Sequence, residues 1–342
     1  MTARHWTATI TAALLLIGCS GSDNGEPDSA VPDGEGPLPG IEAGGDVAPV
    51  PPDGTTEQDS KPWPTQPCGF KTGSDSDLAG GWNVDFTMSG IKRKFYVLKI
   101  NVPPGFSGKL PVVFVYGGWY STAASFNNIT AADAANKPFI KVVPQAVDTD
   151  TMPVWDFQTN PDQSVDVKFF DEMIGCLHAE FPIDTNRIHI LGGSMGGHFV
   201  DYLVTHRGYA IASFMQLSGG FRIFPQTESY YFNWPVDALL AKLANKMPGI
   251  VDWGGPTDIA TGYDYHQGAL EAIQKLKASG HFVATCNHGQ GHDGGTLAKF
   301  GYLFFEDHPR GVKPDPYVGG LPNPTPFGGA DQSWPAYCAI AN

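Results

Sequence analysis

Short continuous apolar runs alternate along this chain with longer stretches in which apolar residues recur at helical spacing. Pro111-Val112-Val113-Phe114-Val115-Tyr116 is an unbroken apolar run, the pattern of a strand buried on both faces of a sheet. Upstream, residues 83–89 and 94–101 read as an antiparallel pair turning around Gly90, and Pro103-Pro104-Gly105 with Gly108 then leads into the buried run. Residues 139–143 form a further short strand. Over 165–181, Phe169, Phe170, Met173, Leu177 and Phe181 return every three to four positions and predict a helix. Arg187-Ile188-His189-Ile190-Leu191 predicts a strand, and Gly197-His198-Phe199-Val200-Asp201-Tyr202-Leu203 a helix. Strands over 211–217 and 249–253, a helix over 269–278 closed by Gly280, and a last strand over 281–286 complete the pattern. Strands alternating with helices imply a mainly parallel central sheet with helices on both faces. Ligands of such sheets bind in loops at the strand C-termini. No internal repeat is evident.

The first 67 residues do not share this pattern. Arg4 and His5 precede an apolar run, 12–17, that is too short for a membrane span and fits a bacterial signal peptide over residues 1–18. Leu16-Ile17-Gly18-Cys19 resembles the lipobox of bacterial lipoproteins, which implies lipidation at Cys19 and, with Ser20 following, the outer membrane or cell surface. Ordinary secretion is the alternative. Residues 20–67 hold 8 Gly, 10 Pro and 10 Asp or Glu against the single Lys61. So little apolar surface and so much self-repulsion predict an extended, disordered tether over 19–67. The formal net charge is −14, of which the tether carries −9 and residues 68–342 only −6. No basic patch is available to release phosphate counterions, which argues against nucleic acid as a partner. The remaining 275 residues suit one α/β domain. Cys68, Cys176, Cys286 and Cys338, an even number in an exported chain, predict two disulfides with three possible connectivities. No pair has C-x-x-C spacing, so no metal site is expected.

The chemistry centres on Gly192-Gly193-Ser194-Met195-Gly196, a G-x-S-x-G element between a predicted strand and a predicted helix. In that context a sharp turn lifts the serine hydroxyl to the mouth of the sheet, with a helix N-terminus behind it. A serine hydroxyl is a poor nucleophile near neutral pH and needs a histidine base oriented by a carboxylate. His288 and His292 both sit in the loop after the last predicted strand; His292, in Gly291-His292-Asp293-Gly294-Gly295, is favoured. His198 and His206 lie on the nucleophile helix and point away. Asp258, just past the 249–253 strand, is favoured as the acid, with Asp264 its rival and Asp252 inside the strand. The oxyanion hole would use the N–H groups of Met195 and of Gly118, in Tyr116-Gly117-Gly118-Trp119-Tyr120, with Trp119 and Tyr120 bordering the cleft.

Several elements in order resemble the extracellular polyhydroxybutyrate depolymerase and feruloyl or acetyl-xylan esterase family of α/β-hydrolases. Its strand ending in His-Gly is matched by Val115-Tyr116-Gly117-Gly118, with tyrosine for histidine. Its Tyr-Pro-Gln element is similar to Val143-Pro144-Gln145, and its later tryptophan to Trp155-Asp156. Asp166-Val167-Lys168-Phe169 resembles the opening of its next helix, and Asp184-Thr185-Asn186-Arg187-Ile188 the approach to its nucleophile. The His-Gly-x-x-Asp acid motif has become Trp253-Gly254-Gly255-Pro256-Thr257-Asp258, and Gly291-His292 is its Gly-His signature. The departures at Tyr116 and Trp253 are expected near the cleft, and Trp155 among the substrate contacts. The resemblance implies an α/β-hydrolase fold and a cofactor-free serine esterase with an acyl-enzyme intermediate. Its partner would be an ester-bearing polymer or small ester, with the membrane reached through a lipid anchor only and a monomer expected. Polyester, feruloyl and acetyl substrates are not separable on this basis. A peptidase of the same fold and a non-catalytic surface-binding lipoprotein remain as alternatives. The aromatic stretch 221–234, with Phe221, Phe224, Tyr230, Tyr231, Phe232 and Trp234, reads either as a packed cap or as a stacking platform.

Overall fold

The computed structural model describes residues 67–341, apart from residues 75, 120, 128–136, 149–152, 222–233, 293–297, 314, 323–324, 328–329 and 333. The expected signal peptide, Cys19, nearly all of the tether, Tyr120 and most of the aromatic stretch lie outside the described residues.

Ten strands form one sheet: β1 (Gly73–Ser74), β2 (Trp82–Met88), β3 (Ile91–Ile100), β4 (Leu110–Tyr116), β5 (Phe139–Pro144), β6 (Ile183–Gly193), β7 (Ser213–Leu217), β8 (Gly249–Trp253), β9 (Val283–Asn287) and β10 (Cys338–Ile340). Their order across the sheet is β1-β3-β5-β4-β6-β7-β8-β9-β10, with β2 paired to β3. From β5 to β9 every neighbouring pair is parallel; β2 and β5 flank β3 antiparallel, and β10 runs antiparallel to β9.

Alternate side chains of these strands enter different apolar layers, which is why the runs read as continuously hydrophobic. Val112, Phe114 and Tyr116 of β4 face one layer with Phe169, Phe170 and Met173 of α2 (Val165–Glu180) and Phe199 of α3 (Met195–Arg207). Val113 and Val115 face the other, with Phe300 and Phe304 of α6 (Ala298–Asp307). Among the described residues, the other α-helices are α1 (Ala123–Asn127), α4 (Val236–Lys242) and α5 (Tyr265–Ala278).

The main predicted elements are present, with three differences. The strand before Ser194 begins at Ile183, ahead of the predicted run 187–191, because Ile183 pairs with Leu110 of the buried neighbour. Helix α5 begins at Tyr265 rather than 269, because the Asp264 side chain accepts the Gln267 N–H and caps it. The strand over 283–287 is not the last: α6 and β10 follow it, and neither was expected. The C-terminus returns as β10, antiparallel to β9, with Cys286 and Cys338 as disulfide-bonded register partners. The second disulfide, Cys68–Cys176, ties the start of the described chain to α2, where the Cys68 and Gly69 N–H groups both donate to Glu180.

Candidate active site

Ser194 occupies the turn between β6 and α3 with φ 56° and ψ −122°, a conformation side-chain-bearing residues rarely adopt. Such strain costs on the order of 1–3 kcal/mol and persists where surroundings over-determine it. Here they do. A Cβ on Gly196 would stand 2.2 Å from the Tyr116 carbonyl oxygen, and one on Gly192 would stand 2.3 Å from the Gly196 carbonyl oxygen. The Ser194 N–H donates to the Leu217 carbonyl at 2.8 Å, which pins the turn to β7. The glycines of the motif are therefore demanded by backbone packing, and the packing sets where the hydroxyl points.

Ser194 Oγ lies 2.9 Å from His292 Nε2, and His292 Nδ1 lies 2.7 Å from Asp258 Oδ1. A carboxylate only accepts, so Nδ1 carries the proton, and Nε2 is left free to accept from the serine hydroxyl. Asp258 is fully buried; its Oδ2 accepts from Ser218 Oγ at 2.7 Å and from the Gly254 N–H at 2.8 Å. Burial pushes its carboxyl pKa up, but the bonds from His292, Gly254 and Ser218 outweigh that and leave it below the usual value. The loop bearing His292 is fastened at Gly254: the Gly291 N–H donates to the Gly254 carbonyl, and a Cβ on Gly254 would stand 1.7 Å from the Gly291 oxygen. Gly291 itself has φ 73°. Both glycines are therefore required for His292 to reach Ser194.

The rival residues fall elsewhere. Asp264 is the α5 cap, and the Asp252 side chain is buried in β8. His288 sits 6.3 Å from the Tyr337 ring and accepts from the Gln290 N–H. His198 is buried with Nδ1–H donating to the Gly220 carbonyl, and burial lowers its pKa to about 4, as it does for His206.

Gly118 packs directly on Ser194, where a Cβ would stand 3.2 Å from Ser194 Cβ. Among the described residues, neither the Gly118 nor the Met195 N–H donates to another protein group. Trp119 is half-buried against the larger apolar layer. Trp155 does not border an open cleft: it is 3 % exposed, stacked on Phe199 at 5.0 Å, and its Nε1–H donates to the Gly117 carbonyl at 2.8 Å. It thus supports the Gly117-Gly118 loop from beneath. Asp166 continues that support, accepting the Asp156 N–H at 2.7 Å and pairing with buried Arg93. Tyr116 and Trp253 lie beside the site, their carbonyls against Gly196 and the His288 N–H, with their rings buried. Tyr116 is buried between Trp155 and Phe199, and buried Trp253 donates to His266. At both positions a ring fills the core rather than the cleft.

Sequence reasoning missed Tyr265. Its hydroxyl lies 3.3 Å from Ser194 Oγ, its ring centroid 4.2 Å from that of His292, and its N–H donates to the Asp258 carbonyl at 2.9 Å. One residue at the start of α5 thus touches all three. Its only sequence signal was proximity to Asp258, and the direction of its ring depends on Asp264 starting the helix there. Ser218, at φ 47°, was missed in the same way.

No family model matches the chain, and no curated protein matches its sequence. Solved structures do match. Native pOPH superposes with a TM-score of 0.54 at 18 % identity, covering 80 % of this chain and 96 % of its own. An alanine variant of pOPH in complex with pNPB gives 0.54 at 18 %, covering 76 % and 93 %. Native sOPH gives 0.51 at 17 %, also covering 76 % and 93 %. The chain has the α/β-hydrolase fold. In that fold the topology accounts for the site: Ser194, Asp258 and His292 stand just beyond the C-terminal ends of β6, β8 and β9, in chain order serine, acid, histidine.

Proposed function

We propose that the protein is a serine-dependent carboxylic ester hydrolase working through an acyl-enzyme. The observation that carries this reading is the continuous line from Ser194 Oγ through the His292 ring to buried Asp258, with spacings of 2.9 and 2.7 Å. Ser194 Oγ attacks the acyl carbon as its proton passes to His292 Nε2. The oxyanion accepts from the N–H groups of Met195, at the α3 N-terminus, and Gly118. The imidazolium, held by Asp258, returns the proton to the departing alkoxide, and the carbonyl re-forms as an acyl-Ser194 ester. Water, deprotonated by His292, then releases the acid.

The family resemblance supports esters carried on a polymer, either a polyhydroxybutyrate-type polyester or a feruloyl or acetyl polysaccharide. The two disulfides suit an oxidising compartment outside the cytoplasm. With the lipobox-like Cys19 they support a lipid-anchored, exported enzyme. A fluorophosphonate should label wild type at Ser194 and leave Ser194→Ala unlabelled. A panel of p-nitrophenyl acetate, methyl ferulate, acetylated xylan and polyhydroxybutyrate film then ranks the substrates. An unlabelled wild type would leave a non-catalytic surface protein, and cleavage of peptides alone would leave a peptidase. Detergent-phase partitioning of wild type and Cys19→Ser tests the anchor.

A further inference from the structure

A concavity of about 320 Å³ is built by Tyr209, the 244–248 connection into β8, and the 310–313 segment after α6. Tyr209 precedes β7, the 244–248 connection leads into β8, and the Arg310 N–H is bonded to Asn186 near the start of β6, so the concavity lies at the end of the parallel strands opposite the one that carries Ser194. Its volume is at the lower end of ligand pockets, roughly 300–1,000 Å³.

Its lining carries Lys246, Arg310 and Lys313, and no Asp or Glu among the described residues. That contrasts with the −6 net charge of residues 68–342. Arg310 is held in place: Nη1 donates to the Tyr209 carbonyl at 2.6 Å, Nη2 to Asn186 Oδ1 at 2.9 Å, and its N–H to the Asn186 carbonyl at 2.7 Å. Among the described residues, two of the five guanidinium N–H donors are used in these bonds. Lys246 Nζ is half-buried and donates to the Leu240 carbonyl at 2.9 Å, and burial lowers its pKa with no carboxylate opposing the shift. None of the three cations pairs with a carboxylate among the described residues. Asp162 and Asp171, the acids that act on Tyr209, are both bound by Arg207. Lys246 Nζ is held by a carbonyl in the last turn of α4 and keeps part of its surface in solvent, so its charge is available to an anion entering the concavity.

We propose that this concavity binds a compact, multivalent oxyanion, a phosphate monoester or a polycarboxylate, at a site separate from Ser194. Three cations on one lining, Arg310 a pre-oriented planar fork, Lys246 half-buried and Lys313 exposed, match a ligand with two or three negative charges. The proposal does not depend on the esterase reading.

The test is isothermal titration of the full chain with inorganic phosphate and with citrate at fixed ionic strength, with chloride as the monovalent reference. Saturable one-to-one binding of at least one anion, with Kd below about 1 mM, is expected. Affinity should fall about tenfold or more in both Lys246→Met and Lys313→Met and stay unchanged in Lys277→Met, an exposed lysine outside the concavity. The tighter of the two anions identifies the phosphate or carboxylate class. Lys313 makes no hydrogen bond within the described residues, so its variant reads the site without disturbing the fold. Fluorophosphonate labelling of Ser194 should proceed equally in all variants, which separates this result from the fate of the esterase reading. Absence of saturable binding by both anions, or binding that both lysine substitutions leave intact, overturns the proposal.

Discussion

Replacing Asp258 by Asn tests the site geometry more sharply than removing the serine, because shape is kept while one proton changes place. Asp258 Oδ2 accepts from two donors, the Gly254 N–H and Ser218 Oγ, and Oδ1 accepts from His292. An asparagine has one oxygen to offer. Turned toward His292, it would set its amide N–H₂ against the Gly254 N–H in a fully buried site, at a cost of about 1–3 kcal/mol for the unsatisfied donors. The amide therefore faces His292 with nitrogen, and the ring must accept at Nδ1. The proton then resides on Nε2, which faces Ser194 Oγ as a donor and cannot take the hydroxyl proton. The same tautomer change in a serine protease lowers kcat by about 10⁴, equivalent to about 5 kcal/mol of barrier, and a fall of that order is expected here. The assay is steady-state hydrolysis of p-nitrophenyl acetate, alongside thermal melting to show that the variant is folded. A folded Asp258→Asn protein that keeps more than a tenth of wild-type kcat would refute this account of how the site works.

Three further outcomes follow from the same geometry. His292→Ala should lower kcat by roughly 10⁴ or more, whereas His288→Ala should stay within about tenfold of wild type; a reversed order would move the base to His288. Tyr265→Phe keeps the ring against His292 and removes one bond to Ser194 Oγ, so a loss of about tenfold or less in kcat is expected, with little change in KM. Loss approaching that of His292→Ala would instead make the hydroxyl part of the chemistry. Asp252 is pushed up to about 8, first by burial and then by the charge of Asp258, so the folded state holds a proton that the unfolded chain releases near 3.8. Stability should therefore fall as pH rises from about 4 through about 8. Urea unfolding of Asp252→Asn should show a shallower decline between pH 5 and pH 9, and an unchanged slope would show that Asp252 is not its source.

Much of this protein is determined by sequence-local physics. Hydrophobic runs buried on both faces specify the parallel strands, and Gly192, Gly196 and Ser194 between β6 and α3 specify a strained elbow. Glycine is needed there for steric reasons that act over a few residues. The positions of His292 and Asp258 after successive strands follow from the same local order, since each loop leaves the same edge of a parallel sheet. Tertiary structure decided what depends on contacts distant in sequence. Cys286 meets Cys338 through the pairing of β9 with β10, and Cys68 meets Cys176 where the start of the described chain packs on α2; four cysteines alone permit three pairings. Trp155 was legible as a site residue but not as a support: its burial comes from Phe199 and Tyr116, on other elements, closing over it. Tyr265 reaches Ser194, 71 residues away, because Asp264 caps α5 where it does and β8 lies two strands from β6. Periodicity and turn chemistry report which face of an element is buried. Which side chains then converge on one atom is set by packing between elements, and that information is not carried by any single stretch of the chain.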